Sequence, residues 1–129
     1  VKIDLRHEEL RFTTRPNLLS ALKEVGIDLK PVFCGGNDYI QQQREQWTDG
    51  ANAFALAPGV IVSYSRNLAT AEELSRAGYR VLAARELLAD PKINLLDRRK
   101  YLILLESGEL SRARGGPRCM TMPLSRVEK

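Results

Sequence analysis

One cysteine stands among three arginines near the end of this 129-residue chain, in the run Ser111-Arg112-Ala113-Arg114-Gly115-Gly116-Pro117-Arg118-Cys119-Met120-Thr121-Met122-Pro123-Leu124. Fixed guanidinium charges favour a thiolate over a thiol, and the thiolate is the nucleophilic form. Cys119 is therefore a candidate nucleophile; its bland alternative is a small hydrophobe filling space. Gly115 and Gly116 lack the side chains that would keep the backbone away from a ligand. Arg114, five residues before the cysteine, carries the planar fork that grips a carboxylate at two points. A plain surface arginine is an equal reading of the same residue.

The other reactive types are sparse. His7 is the only histidine, and a cysteine hydrolase needs an acid-base partner. Nothing in its setting beside Glu8 and Glu9 directs it toward Cys119, so a solvated side chain is the better reading. Cys34-Gly35-Gly36-Asn37-Asp38 has two glycines that could present backbone N–H groups to a phosphate, but it lacks the Lys-Ser/Thr that follows in phosphate loops. Asp49-Gly50 reads as a turn former. Gln46-Trp47-Thr48-Asp49-Gly50-Ala51-Asn52 surrounds the only tryptophan, which fits an active-site wall or a structural anchor.

Composition narrows the classes. With 43% hydrophobic and 28% charged residues, the chain is long enough for one modest core, and one compact unit is expected. No eighteen-residue apolar run and no secretory pattern is present, which points to a cytoplasmic protein with two reduced thiols, Cys34 and Cys119, rather than a disulfide. The formal net charge of +4 resides largely in Arg98-Arg99-Lys100 and Arg112 to Arg118. A single Arg-Gly-Gly triplet without interleaved aromatics argues against nucleic-acid binding. No cofactor, metal or membrane partner is called for.

These residues must be positioned by elements that alternate in period. Val1 to Leu5 and Leu10 to Thr14 read as paired strands. Asn17 caps a helix over Leu18 to Val25, Gly26 stops it, and a strand is expected over Leu29 to Phe33. Ala51 to Leu56 and Val60 to Tyr64 form a hairpin about Pro58-Gly59, whose order suits a type II turn. Asn67 or Thr70 opens the next helix, with Ala71, Leu74 and Ala77 inward and Gly78 as its stop, before a strand from Tyr79 to Leu82. The pattern is a strand-strand-helix-strand (ββαβ) unit twice, over 1–45 and 46–85, and Leu22-Lys23-Glu24-Val25-Gly26-Ile27 echoes Leu74-Ser75-Arg76-Ala77-Gly78-Tyr79. Repeats of this kind need neighbours to bury their faces. A helical insertion over 86–100, broken near Pro91, leads to a strand and nucleophile loop over 101–129, with Cys119 at a loop-to-strand junction.

The run from Gly108 to Pro123 closely resembles the C-terminal nucleophile motif of arginine deiminases. Arg44-Glu45-Gln46-Trp47-Thr48-Asp49-Gly50-Ala51-Asn52 and the stretch from Ala57-Pro58-Gly59 to Arg66-Asn67 resemble that family in the same order. The resemblance implies an α/β fold of tandem ββαβ units, here a partial segment of a five-bladed α/β propeller. It implies cysteine attack on the guanidinium carbon of L-arginine, loss of ammonia and hydrolysis of a thiouronium intermediate to citrulline. Cys119 then matches the nucleophile and Arg114 the residue that binds the substrate carboxylate. Ala113 stands where a glycine is usual and is expected to crowd backbone contacts to substrate. The family's His-x-Asp motif and guanidinium-binding acids belong upstream of the part present, so the 129 residues alone are expected to be inactive. Apolar faces left exposed by missing units would encourage self-association into a homo-oligomer, though the sequence does not set the oligomeric state. Related amidino transfer, hydrolysis of methylarginine or agmatine, and a non-catalytic assembly module remain as alternatives.

Overall fold

The structure, a computed structural model, describes residues 1–4, 11–113 and 115–125. The chain folds as two units, Val1–Pro31 and Val32–Lys129, where composition suggested one. In the first, β1 (Lys2–Asp4) pairs antiparallel with β2 (Arg11–Thr13), and α1 (Leu18–Glu24) follows. Asn17 caps α1 by accepting the Ser20 N–H at 2.9 Å, while Gly26 takes φ +83° beyond its end. Its apolar stripe is not interior: no residue of α1 is buried. The strand expected over Leu29 to Phe33 does not form. Pro31 lies in its middle, and proline removes a ladder donor.

The second unit is built on a four-stranded sheet in the order β3-β4-β6-β5. Before the sheet runs α2 (Tyr39–Trp47), between Asp38 and Asp49-Gly50, which read as polar loop. Strand β3 (Phe54–Ala57) pairs antiparallel with β4 (Val60–Tyr64), joined at Pro58-Gly59, where Gly59 has φ +79° as the third residue of a type II turn requires. Helix α3 (Leu68–Arg76) leads to β5 (Tyr79–Ala83), then α4 (Ala84–Ala89) leads to β6 (Lys100–Leu105). Strand β6 lies between β4 and β5 and is parallel to both. Its sequence, Lys-Tyr-Leu-Ile-Leu-Leu, is apolar almost throughout because a central parallel strand is covered on both faces.

The buried cluster of Val60, Val62, Leu82, Tyr101 and Ile103 is covered by Phe54, Leu87, Ile93, Leu95 and Leu105. The segment expected to be an insertion is thus part of the core: α4 begins directly after β5, ends before Pro91, and sends Ile93 and Leu95 back onto the sheet. After β6 a short 3-10 turn, Leu110–Ala113, opens the cysteine loop. Cys119 itself sits in a turn over 117–120, and no strand follows through residue 125, in place of the expected loop-to-strand junction.

Candidate active site

Parallel strands gather the loops at their C-terminal ends, where α/β sheets place ligands. The loop after β4 and the loop after β6 meet there. Tyr64, the last residue of β4, donates its hydroxyl to the Gly115 carbonyl at 2.7 Å, and its oxygen lies 3.4 Å from the Met120 sulfur. Two residues on, Arg66 donates to the Gly108 carbonyl at 3.0 Å and to the Ser111 hydroxyl at 3.1 Å. Ser111 is buried. The cysteine loop is therefore tied at both its beginning and its glycine pair to one short segment at the end of β4.

Its far end is held by Asn52. The Asn52 side-chain oxygen accepts the Arg118 N–H at 3.2 Å, and its nitrogen donates to Cys119 Sγ at 2.7 Å. Gly116 makes room for this side chain, since a Cβ there would collide with Asn52 Cγ and lie 2.5 Å from Asn52 Cβ. The Asn52 N–H in turn bonds the Asp49 carbonyl at 3.0 Å, and Asp49 holds the turn with φ +60°. Thr48 and Asn67 exchange hydrogen bonds, hydroxyl to amide oxygen and amide nitrogen to the Thr48 carbonyl, which fixes this turn against the start of α3.

Behind it lies a buried carboxylate. Glu45, on α2, accepts the Ala69 N–H at 2.8 Å, the Thr70 N–H at 2.7 Å and the Thr70 hydroxyl at 2.6 Å. The two N–H groups are first-turn donors of α3 without partners inside the helix, whose own N-cap residue, Asn67, makes no side-chain cap. The positive end of the helix dipole supports the negative charge. The Thr70 hydroxyl also accepts the Gly35 N–H at 2.8 Å, which draws Cys34-Gly35 onto the same framework.

The result is an open cleft of about 1080 Å³ lined by Cys119 and Arg118 of the cysteine loop, by Asp49, Ala51, Asn52 and Ala53, and by Phe33, Cys34 and Gln42, Gln43 and Gln46 of α2. Cys119 is exposed to it as a free thiol, and Cys34 is also free. The Asp49 Oδ2 is buried and finds no hydrogen-bond partner among the described residues. No group of three or more His, Cys, Asp or Glu able to hold a metal ion occurs among the described residues, and no helix there is long and apolar enough to cross a membrane.

Two of the three arginines singled out with Cys119 go different ways. Arg112 pairs with Glu109 at 3.3 Å, Arg118 lines the cleft, and Arg114 lies outside the described residues, as does His7. Ala113 closes the 3-10 turn and is exposed. The group on the sulfur is instead an amide from 67 positions away. Asn52 stands within a motif that reads as a wall, with no role of its own; Tyr64 and Glu45 carry no signal beyond their place in the motifs that contain them.

A cysteine on the rim of a cleft at the C-terminal ends of parallel strands defines an α/β domain of the thiol-bearing kind. Residues 4–126 match the family model "Arginine deiminase". Similar proteins include the arginine deiminases of Bacillus thuringiensis subsp. konkukian, 43% identical over 94% of this chain and 25% of the relative, and of Latilactobacillus sakei, 37% identical over 95% and 25%. That of Mycoplasma capricolum is 43% identical over 80% of this chain and 20% of the relative. The chain belongs to the arginine deiminase family and spans about a quarter of the length of the curated relatives it matches.

Proposed function

We propose that this chain is the C-terminal, nucleophile-bearing part of an arginine deiminase, which converts L-arginine and water to L-citrulline and ammonia. The observation that carries this reading is the exposed Cys119 thiol, held by Asn52 at the mouth of the cleft. In the proposed sequence the Cys119 thiolate attacks the guanidinium carbon and a C–N bond breaks. Its nitrogen takes up a proton and leaves as ammonia. Water then adds to the thiouronium carbon, and the C–S bond breaks to return the thiolate and release citrulline. The imidazole that moves these protons and the acids that grip the guanidinium come from protein outside these 129 residues, together with the remaining units of a five-bladed α/β propeller.

Arg114 is assigned the substrate carboxylate, by its match to the family motif and its two-point geometry. Ala113 precedes it in place of glycine and narrows the approach to the backbone. Asp49 adds a carboxylate to the wall that receives a cationic substrate. The test is Cys119→Ser in the protein at its native length. Citrulline release is expected to vanish, and arginine labelled in its guanidino carbon is expected to leave a covalent mark on the Cys119 peptide only in the unsubstituted protein. Turnover surviving the substitution would remove Cys119 from the chemistry.

A further inference from the structure

We infer that Asn52 is a positioning residue for the nucleophile, holding the Cys119 sulfur and the peptide before it on the two arms of one planar amide. This deepens the proposed reading and rests on it for its catalytic meaning, though not for its geometry. The orientation of the amide is fixed by chemistry. Arg118 N–H, at 3.2 Å, demands an acceptor, so Oδ1 faces it and Nδ2 is left to point at Sγ, 2.7 Å away. The reverse would set a donor against a donor and an oxygen lone pair against sulfur. A donor aimed at sulfur orients it, and such a bond strengthens as charge gathers on its acceptor, because hydrogen bonds to a charged partner are roughly twice as strong as neutral ones.

Three further features build the holder rather than a chance contact. The Cβ position of Gly116 is filled by the Asn52 side chain. The Asn52 backbone is braced on the Asp49 carbonyl at 3.0 Å. Arg112 is turned to Glu109, and the group that donates to the sulfur is the neutral Asn52 amide. An amide suits this better than a cation where the incoming substrate is itself a cation, since it orients sulfur without repelling the guanidinium.

The experiment uses Asn52→Asp and Asn52→Ala in the protein at its native length. Iodoacetamide labelling of the Cys119 peptide is followed by mass spectrometry near pH 7, with Cys34, which lines the same cleft, as internal control. Labelling of Cys119 near pH 7 is expected to slow roughly 10-fold or more, the scale of one hydrogen bond to a charged group. Asp should be slower than Ala, because it keeps the contact to Arg118 N–H but sets a carboxylate beside sulfur. The Cys34 rate should be unchanged in both.

An unchanged Cys119 rate in both variants overturns the inference. Equal slowing accompanied by a faster Cys34 also overturns it, since that pattern means the wall has merely opened. The alkylation readout is independent of deiminase activity. If Cys119→Ser retains turnover while the Asn52 variants slow labelling, the functional proposal falls and the holder stands.

Discussion

Glu45→Gln tests whether a carboxylate on α2 serves as the missing cap of α3. Glu45 is 3% exposed and receives three donors, two from the backbone and one from Thr70. Glutamine keeps one acceptor oxygen and turns an NH2 toward a backbone N–H. At least one hydrogen bond to charge is lost, about 1.5–3 kcal/mol, with a buried donor left unpaired. Loss of the charge at the helix start adds roughly 0.3–1 kcal/mol. The expected cost is therefore about 3 kcal/mol. For a unit of this size it should lower the thermal midpoint by roughly 10 °C or more.

Glu72→Gln is the matched control. Glu72 lies on α3 itself, but is exposed and pairs with Arg76 on the surface, so its loss should cost under about 1 kcal/mol. Thermal and urea unfolding of both variants provide the comparison. Hydrogen exchange at Ala69 and Thr70 should accelerate in Glu45→Gln alone. Equal costs for the two variants would refute the capping argument. So would full retention of exchange protection at those two amides.

Gly116→Ala places a Cβ against Asn52 Cγ and 2.5 Å from Asn52 Cβ, so Asn52 must leave. Overpacking of this kind costs roughly 1–3 kcal/mol, and Cys119 labelling should slow to the rate of Asn52→Ala; an unaffected rate would mean that Asn52 does not fill this space. Asp97 and Tyr101 give a pH test. Burial of the Asp97 carboxyl opposes its charge, but the Tyr101 hydroxyl at 2.8 Å, the Arg99 N–H and the Arg99 and Arg80 guanidinium groups outweigh it and hold Asp97 below the usual carboxylate range. Its contribution is present above the ordinary aspartate range and is lost as pH falls through the depressed folded value. The same hydrogen bond, then burial, raises the Tyr101 phenol, whose contribution is complete below its ordinary range and lost as pH climbs beyond it. Tyr101→Phe should return the Asp97 titration, read by carboxyl NMR, toward the ordinary range and flatten both limbs.

Local signals are legible where one residue type carries a conformation. Asn17 and Gly26 bracket α1, Pro58-Gly59 turns the hairpin, and Gly78 ends α3 at φ +91°. Helix α2 is hidden because its sequence, Tyr-Ile-Gln-Gln-Gln-Arg-Glu-Gln-Trp, has no apolar stripe: its one buried residue is Glu45, held by donors instead of by packing. The Asp38 cap is the available signal, accepting the Gln41 N–H at 2.8 Å, but it sits beside glycines that read as loop. The Leu29 to Phe33 strand fails for the opposite reason, since its apolar residues have strand period while Pro31 breaks the ladder they would need.

The strand order explains why the nucleophile is easier to find than its holder. Cys119 announces itself through neighbours in sequence, yet Arg112 is turned to Glu109 and Arg118 to the cleft wall. Asn52 precedes β3, at one edge of the sheet, while Cys119 follows β6 at the centre, with β4 between them. Tyr64 and Arg66, at the end of β4, fasten the cysteine loop, and the edge hairpin that ends in β4 begins just after Asn52. The parallel pairing of β4 with β6 therefore sets the distance between amide and sulfur, and that pairing is decided by burial of Val60, Val62, Tyr101 and Ile103 rather than by any residue of the site. A substitution in this core that shifts β6 along β4 should consequently slow Cys119 labelling without changing the identity of any residue of the cleft.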